Sequence, residues 1–200
     1  ILPPNLRVKE FMEEKDIEFE HILVIDSKDR NHTSHPNASD YTIKLGVGDQ
    51  ESEGSIARNF EEVVSIELVN FMMRHTTGTS NATDELDVPP YLYLQIEEIG
   101  SLLEGTGDFI KKTFAKLTYY ELLNHGNKSY RHYTIKDGEF VKVFKPRQNL
   151  TRLTIKLLDS NGSLYNYGDT TDDGNTTLNC LTLQIVTLQK NFVTNFIDKT

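Results

Sequence analysis

The chain has 200 residues, which at roughly 150 per domain allows one compact domain with extended arms and leaves too little for two. A net charge of −9, from 21 Lys and Arg against 30 Asp and Glu, argues against a protein that neutralises phosphates over its whole surface, and a single cysteine, Cys180, excludes an internal disulfide framework or a Cys-rich zinc site. Hydrophobic residues at 37% suffice for a packed core, while no stretch approaches the ~18 to 20 apolar residues of a membrane span.

The predicted elements are nearly all strands. Near the start, which is Ile1 rather than the Met of an unprocessed or untruncated chain, Val8, Phe11, Met12 and Lys15 follow helical spacing after Pro3-Pro4-Asn5. Residues 1–17 are therefore expected to form an N-terminal arm, either a short amphipathic helix or a docking arm. Strands are then expected at 21–26, 41–45 and 64–68, the last with Val64, Ile66 and Leu68 on one face and Ser65 and Glu67 on the other. Leu92, Leu94 and Ile96 alternate with Tyr93, Gln95 and Glu97 in a further strand, and residues 100–107 hold an irregular turn. Strands at 113–120, 130–135 and 139–144 follow, with Asp137-Gly138 read as a two-residue hairpin turn between the second and third. Leu153, Ile155 and Leu157 define a strand closed by the turn Ser160-Asn161-Gly162-Ser163, and Leu181, Leu183 and Ile185 define the last. The tail, 189–200, carries Phe192, Val193, Phe196 and Ile197 on a segment too short for a stable isolated helix, so these apolar groups need cover from the domain or from another chain. Many strands without a long helix point to an all-β fold. The expectation is an antiparallel two-sheet sandwich over 18–188, a single jelly roll of about eight strands. An immunoglobulin-like sandwich fits less well, because neither a Trp nor a Cys pair marks its core.

Charge is unevenly placed. Residues 1–110 hold 8 basic and 22 acidic groups, while residues 111–156 hold 11 basic and 3 acidic. Such halves either pair across a sheet within one chain or join the basic face of one subunit to the acidic face of the next. Lys142, Lys145, Arg147 and Arg152, with the apolar Phe192 and Phe196, are the candidate subunit contacts.

The densest polar cluster is Asp26-Ser27-Lys28-Asp29-Arg30-Asn31-His32-Thr33-Ser34-His35, directly after an apolar strand. Asp26, Asp29, His32 and His35 are metal-ligating types, yet a looping chain does not bring them together without further turns, and no second ligand group answers them. The structural reading is that Asp26 and Asp29 accept main-chain N–H bonds in an Asx-type turn while Arg30 clamps a carboxylate or carbonyls at the strand exit. No nucleophile elbow, phosphate loop or dinucleotide fingerprint is present, Cys180 reads as a small buried side chain, and the acidic pairs Glu61-Glu62, Glu97-Glu98 and Asp172-Asp173 read as solvated ends. Asp169 to Gly174 lacks the ligand spacing of a calcium loop. No catalysis and no cofactor are expected. Asn-x-Ser/Thr triplets at Asn31, Asn37, Asn81, Asn127, Asn149, Asn161 and Asn175 fit a glycosylated surface, or arise as by-products of Asn- and Ser/Thr-rich turns.

The stretch Ile22-Leu-Val-Ile-Asp-Ser-Lys-Asp-Arg-Asn31, followed by Pro36, by Asp40-Tyr41-Thr-Ile-Lys-Leu45 and by Val64-Ser-Ile-Glu-Leu68, resembles the opening of a group of virion proteins of nucleocytoplasmic large DNA viruses. In that group a strand ends in an Asp-Ser-basic-Asp-Arg turn and a Pro-Asn-x-x-Asp-Tyr segment starts the next strand. Residues 150–162, Leu-Thr-Arg-Leu-Thr-Ile-Lys-Leu-Leu-Asp-Ser-Asn-Gly, resemble the penultimate strand and turn of the minor capsid or penton-type proteins among them. The similarity covers about residues 20–188 and departs at 76–90 and 100–107. It implies a single jelly-roll capsid component of the virion that fills vertices or cements a double-jelly-roll major capsid protein. Its partners would be that protein and other minor capsid proteins, with a homo-oligomer, a pentamer for a penton, and no nucleic acid. Asp26, Ser27, Asp29, Arg30, Asp40 and Tyr41 are the motif positions, expected to be structural. The competing reading is a carbohydrate-binding β-sandwich that stacks sugars on Tyr91, Tyr93, Tyr119, Tyr120, Tyr165 and Tyr167.

Overall fold

The computed structural model describes residues 12–46, 54–75, 91–125, 128–136, 138–167 and 178–194. Ten strands follow one another: β1 (Met12–Asp26), β2 (Asp40–Leu45), β3 (Ser55–Ile56), β4 (Phe60–His75), β5 (Tyr91–Ile96), β6 (Ala115–His125), β7 (Lys128–Thr134), β8 (Val141–Leu150), β9 (Arg152–Leu158) and β10 (Asn179–Thr194). Among the described residues the only helical elements are single 3-10 turns at Ser27–Asp29 and Ile110–Lys112, so the fold is all-β, and no helix is long and apolar enough to cross a membrane.

The strands run β1-β10-β4-β7-β6-β5-β9-β2-β3 across one curled sheet, with β8 attached to β4 beside this path. Pairing is antiparallel except between β2 and β3. Curling turns one face inward. On it lie Leu23 and Ile25 of β1, Leu181, Leu183 and Ile185 of β10, Ile43 and Leu45 of β2, Leu153, Ile155 and Leu157 of β9, and Leu92, Leu94 and Ile96 of β5, all buried. Period two in the sequence thus becomes one shared core, in which each fully buried Leu or Ile contributes about 1.5–3 kcal/mol. β5 is covered on its outer face too. The segment after it folds back so that Phe109 meets the Tyr93 ring edge-on at 5.3 Å and accepts a hydrogen bond at its carbonyl from the Gln95 amide, 2.8 Å.

Several expectations change in the structure. β1 pairs with β10 from Met12↔Thr194 to Asp26↔Cys180, so residues 12–17 and 189–194, assigned above to arms, continue the ladder. The amphipathic helix expected around 8–15 therefore gives way to strand from Met12 onward, and residues 1–11 lie outside the described set. From Asp16 to Val24 acidic or β-branched residues alternate with Ile17, Phe19, His21 and Leu23, of which Leu23, like Ile25 beyond it, is buried, and a ladder partner rewards that two-residue period over its whole length.

In β4 the register slips between Val186 and Thr187 of β10, which pairs Val63 and Ser65 with successive partners and leaves Val64 as the extra residue of a bulge. Val63 rather than Val64 is consequently fully buried beside Ile66 and Leu68. A second slip leaves Val69 exposed and returns Phe71 and Met73 to the core.

Asp137-Gly138 does not close a hairpin. β7 pairs with the end of β4, from Phe71↔Tyr133 to His75↔Ser129, and β8 pairs with its beginning, from Phe60↔Leu150 to Glu67↔Val141. Both run antiparallel to β4, so the chain jogs sideways and continues in the same direction. Gly138, at φ 71°, donates its N–H to Glu67 Oε1 at 2.6 Å, and Phe140 accepts at its carbonyl from Leu68 N. Asp137 lies outside the described residues.

Candidate functional site

β1 ends at Asp26, whose Oδ1 accepts from Lys28 N at 3.0 Å and caps the short 3-10 turn, as its residue type requires. Arg30 then turns inward and is fully buried. Its Nη1 donates to the Ser27 carbonyl at 2.6 Å, Nε to the His35 carbonyl at 2.8 Å and Nη2 to the Pro36 carbonyl at 2.9 Å. The planar guanidinium gathers three main-chain acceptors of one loop, a task its fork geometry suits and a point-charge ammonium does not. Asp29 accepts from Gly54 N through its carbonyl at 2.6 Å. Gly54 adopts φ 71°, and a Cβ there would sit 3.1 Å from Asn31 N and 3.3 Å from the Thr42 carbonyl, so the close approach needs glycine.

Ser27 and Tyr41 carry the network across the core. Ser27 Oγ accepts from both Leu178 N (3.1 Å) and Asn179 N (2.9 Å), where β10 begins. The Tyr41 hydroxyl donates to Asn179 Oδ1 at 2.8 Å, and Asn179 Nδ2 donates to the Ala38 carbonyl at 2.8 Å and to the Tyr167 hydroxyl at 2.7 Å. Burial holds Tyr41 and Tyr167 well above the usual range of a tyrosine, Tyr167 adding to the rise at Tyr41 while the hydrogen bond with Asn179 offsets part of it at Tyr167. The Asp26–Tyr41 motif is therefore a structural latch that ties the start of β2, the end of β1 and the start of β10 together. Asp40 stands on the other face of β2. It borders an open cleft of about 400 Å³ that also includes Lys156, Gln95, Phe109 and Lys112. Lys156 is paired there with Glu97 at 2.6 Å, and that hydrogen bond first, with Asp40 adding to it, raises the ammonium pKa.

His32 points its Nε2 at the Lys28 carbonyl, 2.8 Å, and His35 offers its carbonyl to Arg30. Among the described residues no three His, Cys, Asp or Glu side chains converge as a metal site would need.

Three of the four basic candidates make contacts within the chain. Arg147 bridges Asp16 (2.7 Å) and Glu62 (3.2 Å), Arg152 donates to Glu98 (2.9 Å), and Lys142 reaches the Ser101 carbonyl (3.3 Å). Of the two readings of the charge asymmetry, these contacts match pairing within one chain. Lys145 is exposed, the Phe192 side chain lies outside the described set although its backbone continues β10, and Phe196 lies wholly outside it. Among the tyrosines needed to stack sugars, Tyr167 and Tyr93 are buried, Tyr91 is covered by the Lys116 ammonium at 4.2 Å and Tyr119 faces the Arg131 guanidinium at 5.7 Å. Tyr120, the extra residue of a bulge opposite β7, is 65% exposed. Three sequon asparagines serve turns or neighbouring strands with their side-chain oxygens: Asn31 accepts from Ser34 N, Asn37 from Ser39 N and Asn149 from Glu62 N. Asn81, Asn127 and Asn175 lie outside the described residues.

Two titratable groups give direct tests. Cys180 is half-buried, and burial first, then Asp26, pushes its thiol up. At pH 8 it should react with an aromatic disulfide at least about tenfold more slowly in the folded protein than in urea; equal rates would place it in open solvent. His21 donates to or accepts from Thr187 Oγ1 at 2.9 Å against the Phe60 ring edge, and burial, then Arg58, lowers its pKa. The unfolded chain takes up a proton near pH 6.5 that the folded state resists, so stability is intact above that pH and falls below it. The loss in urea midpoint between pH 7 and pH 5 should be smaller for His21→Gln than for the parent protein.

Comparison of the chain with known protein families and with curated proteins returns no match.

Proposed function

We propose that this chain is a structural virion protein, a minor capsid or penton-type subunit whose sheet closes as a single jelly roll. The observation that carries the reading is the strand order. With β3 set aside and β7 and β8 counted as one interrupted strand, the order divides into the runs β1-β10-β4-β7/β8 and β2-β9-β5-β6, joined where β7 pairs with β6. In each run the first pairs with the last-made strand still free, as when one long hairpin is rolled up, and such an order supports a two-Greek-key jelly roll. Fold alone does not assign a role. The role comes from the resemblance carried by Ile22 to Asn31, by Asp40 to Leu45 and by residues 150–162, and the latch that these motif residues build makes a rigid block suited to packing in a shell. The major capsid protein and other minor capsid proteins are the partners this reading requires.

Electron cryomicroscopy of intact particles tests it. Density for this fold at a vertex or between major capsid proteins is the expected result, and particles that contain the chain but show it nowhere in the shell overturn the reading. For the penton form, mass photometry should find pentamers; a strict monomer at low salt and high concentration removes the ring. Arg147, Arg152 and Lys142 also make contacts within the chain, which such a ring would share or replace.

A further inference from the structure

We propose that the outer edge of β1 is a strand-acceptor site for an extended segment of a partner protein, one that is apolar and then basic when laid antiparallel to β1. The proposal needs only this edge and stands apart from the capsid reading. β1 is the terminal strand of the sheet order and pairs with β10 along its whole length; among the described residues no strand pairs its other side. In an antiparallel ladder alternate residues aim their N–H and C=O away from the existing partner, so the open side offers a row of donors and acceptors.

The opposite edge of the same strand group is guarded. Along β8 the register jumps from Ser65↔Val143 to Val63↔Gln148, so the residues between bulge out of the ladder, with Lys145 and Arg147 exposed and Pro146 lacking an N–H. No bulge or proline interrupts β1. Its solvent face instead carries Glu18 and Glu20, followed by Ile22 and Val24, which are 63% and 60% exposed. Two adjacent β-branched side chains open to water on an unpaired edge are what edge strands otherwise avoid.

Charge selects the occupant. A second copy fits badly: antiparallel self-pairing centred on Leu23 sets Glu20 against Asp26, and centring on His21 sets Glu18 and Glu20 against Val24 and Ile22. A strand of another protein with β-branched residues opposite Val24 and Ile22 and lysines opposite Glu20 and Glu18 satisfies both halves, as cross-strand pairs require.

The test uses the full chain and the peptide Ac-TVTVTKTKT-amide, with Ac-TVTVTETET-amide as control. The first peptide should slow hydrogen exchange at alternate β1 amides by at least about tenfold, and fluorescence anisotropy should show binding that weakens with salt. Glu18→Lys with Glu20→Lys should lower the affinity about tenfold or more, and Ile22→Lys with Val24→Lys should abolish binding; these four side chains are exposed, and an unchanged thermal midpoint verifies folding. The proposal is overturned if neither peptide protects β1, if the control binds equally well, or if the alternate β1 amides are already protected without peptide, which would mean that the chain's own residues fill the edge.

Discussion

Replacing Arg30 with Met should lower the unfolding free energy by on the order of 4 kcal/mol, read as a shift of the urea midpoint with unchanged slope. The size follows from what the guanidinium leaves behind. It is fully buried and serves the carbonyls of Ser27, His35 and Pro36, and no apolar replacement donates to any of them. Arg30→Lys should recover only part of the loss, because one ammonium cannot match three acceptors spaced for a planar fork. A loss under about 1 kcal/mol for Arg30→Met would mean that water replaces the guanidinium and that the loop does not depend on it.

Asn179→Leu should cost about 3–4 kcal/mol, since it strips partners from the Tyr41 hydroxyl, the Tyr167 hydroxyl and the Ala38 carbonyl together. Tyr41→Phe and Tyr167→Phe should each cost less, and their effects should not add to it, because all three substitutions break one network. Asn179→Asp separates charge from shape. Ionised, the new carboxylate accepts from both phenols but faces the Ala38 carbonyl in a buried site, so its pKa rises in the folded state. Its stability deficit should therefore shrink as the pH falls through that raised value toward the unfolded carboxyl pKa near 4, and grow as the pH rises. A deficit independent of pH would show that the side chain has moved out to water.

The local half of this latch is legible in the sequence. Asp26 caps within two residues and Arg30 finds its carbonyls within six, so residue type and spacing determine both contacts. Asn179 is not legible, because it lies 138 residues from Tyr41 and its only local signal is a polar residue at the head of an apolar strand. The strand faces follow period two until a partner changes register. Val64 leaves the core and Val63 enters it because β10 slips against β4, an event encoded in the ladder rather than in either strand. Asp137-Gly138 has hairpin chemistry but no hairpin, since β4 offers residues 60–67 as a template for β8 just beyond the stretch that β7 occupies. Pairing with a third strand outweighs the local turn preference. The charge asymmetry leaves pairing within the chain and contact between subunits both open in the sequence; Asp16 and Glu62, distant in sequence, supply the intrachain partners of Arg147.

The position of β10 bears on how the protein is made. The final strand of the described chain sits between β1 and β4, both synthesised well before it. Until residues 179–194 leave the ribosome, β1 and β4 have no common neighbour, and Leu23, Ile25, Ile66 and Leu68 lack the Leu181, Leu183 and Ile185 that cover them. The nascent polypeptide must therefore carry unsatisfied apolar strands until residues 179–194 have emerged, a schedule that favours slow maturation and engagement by holding chaperones.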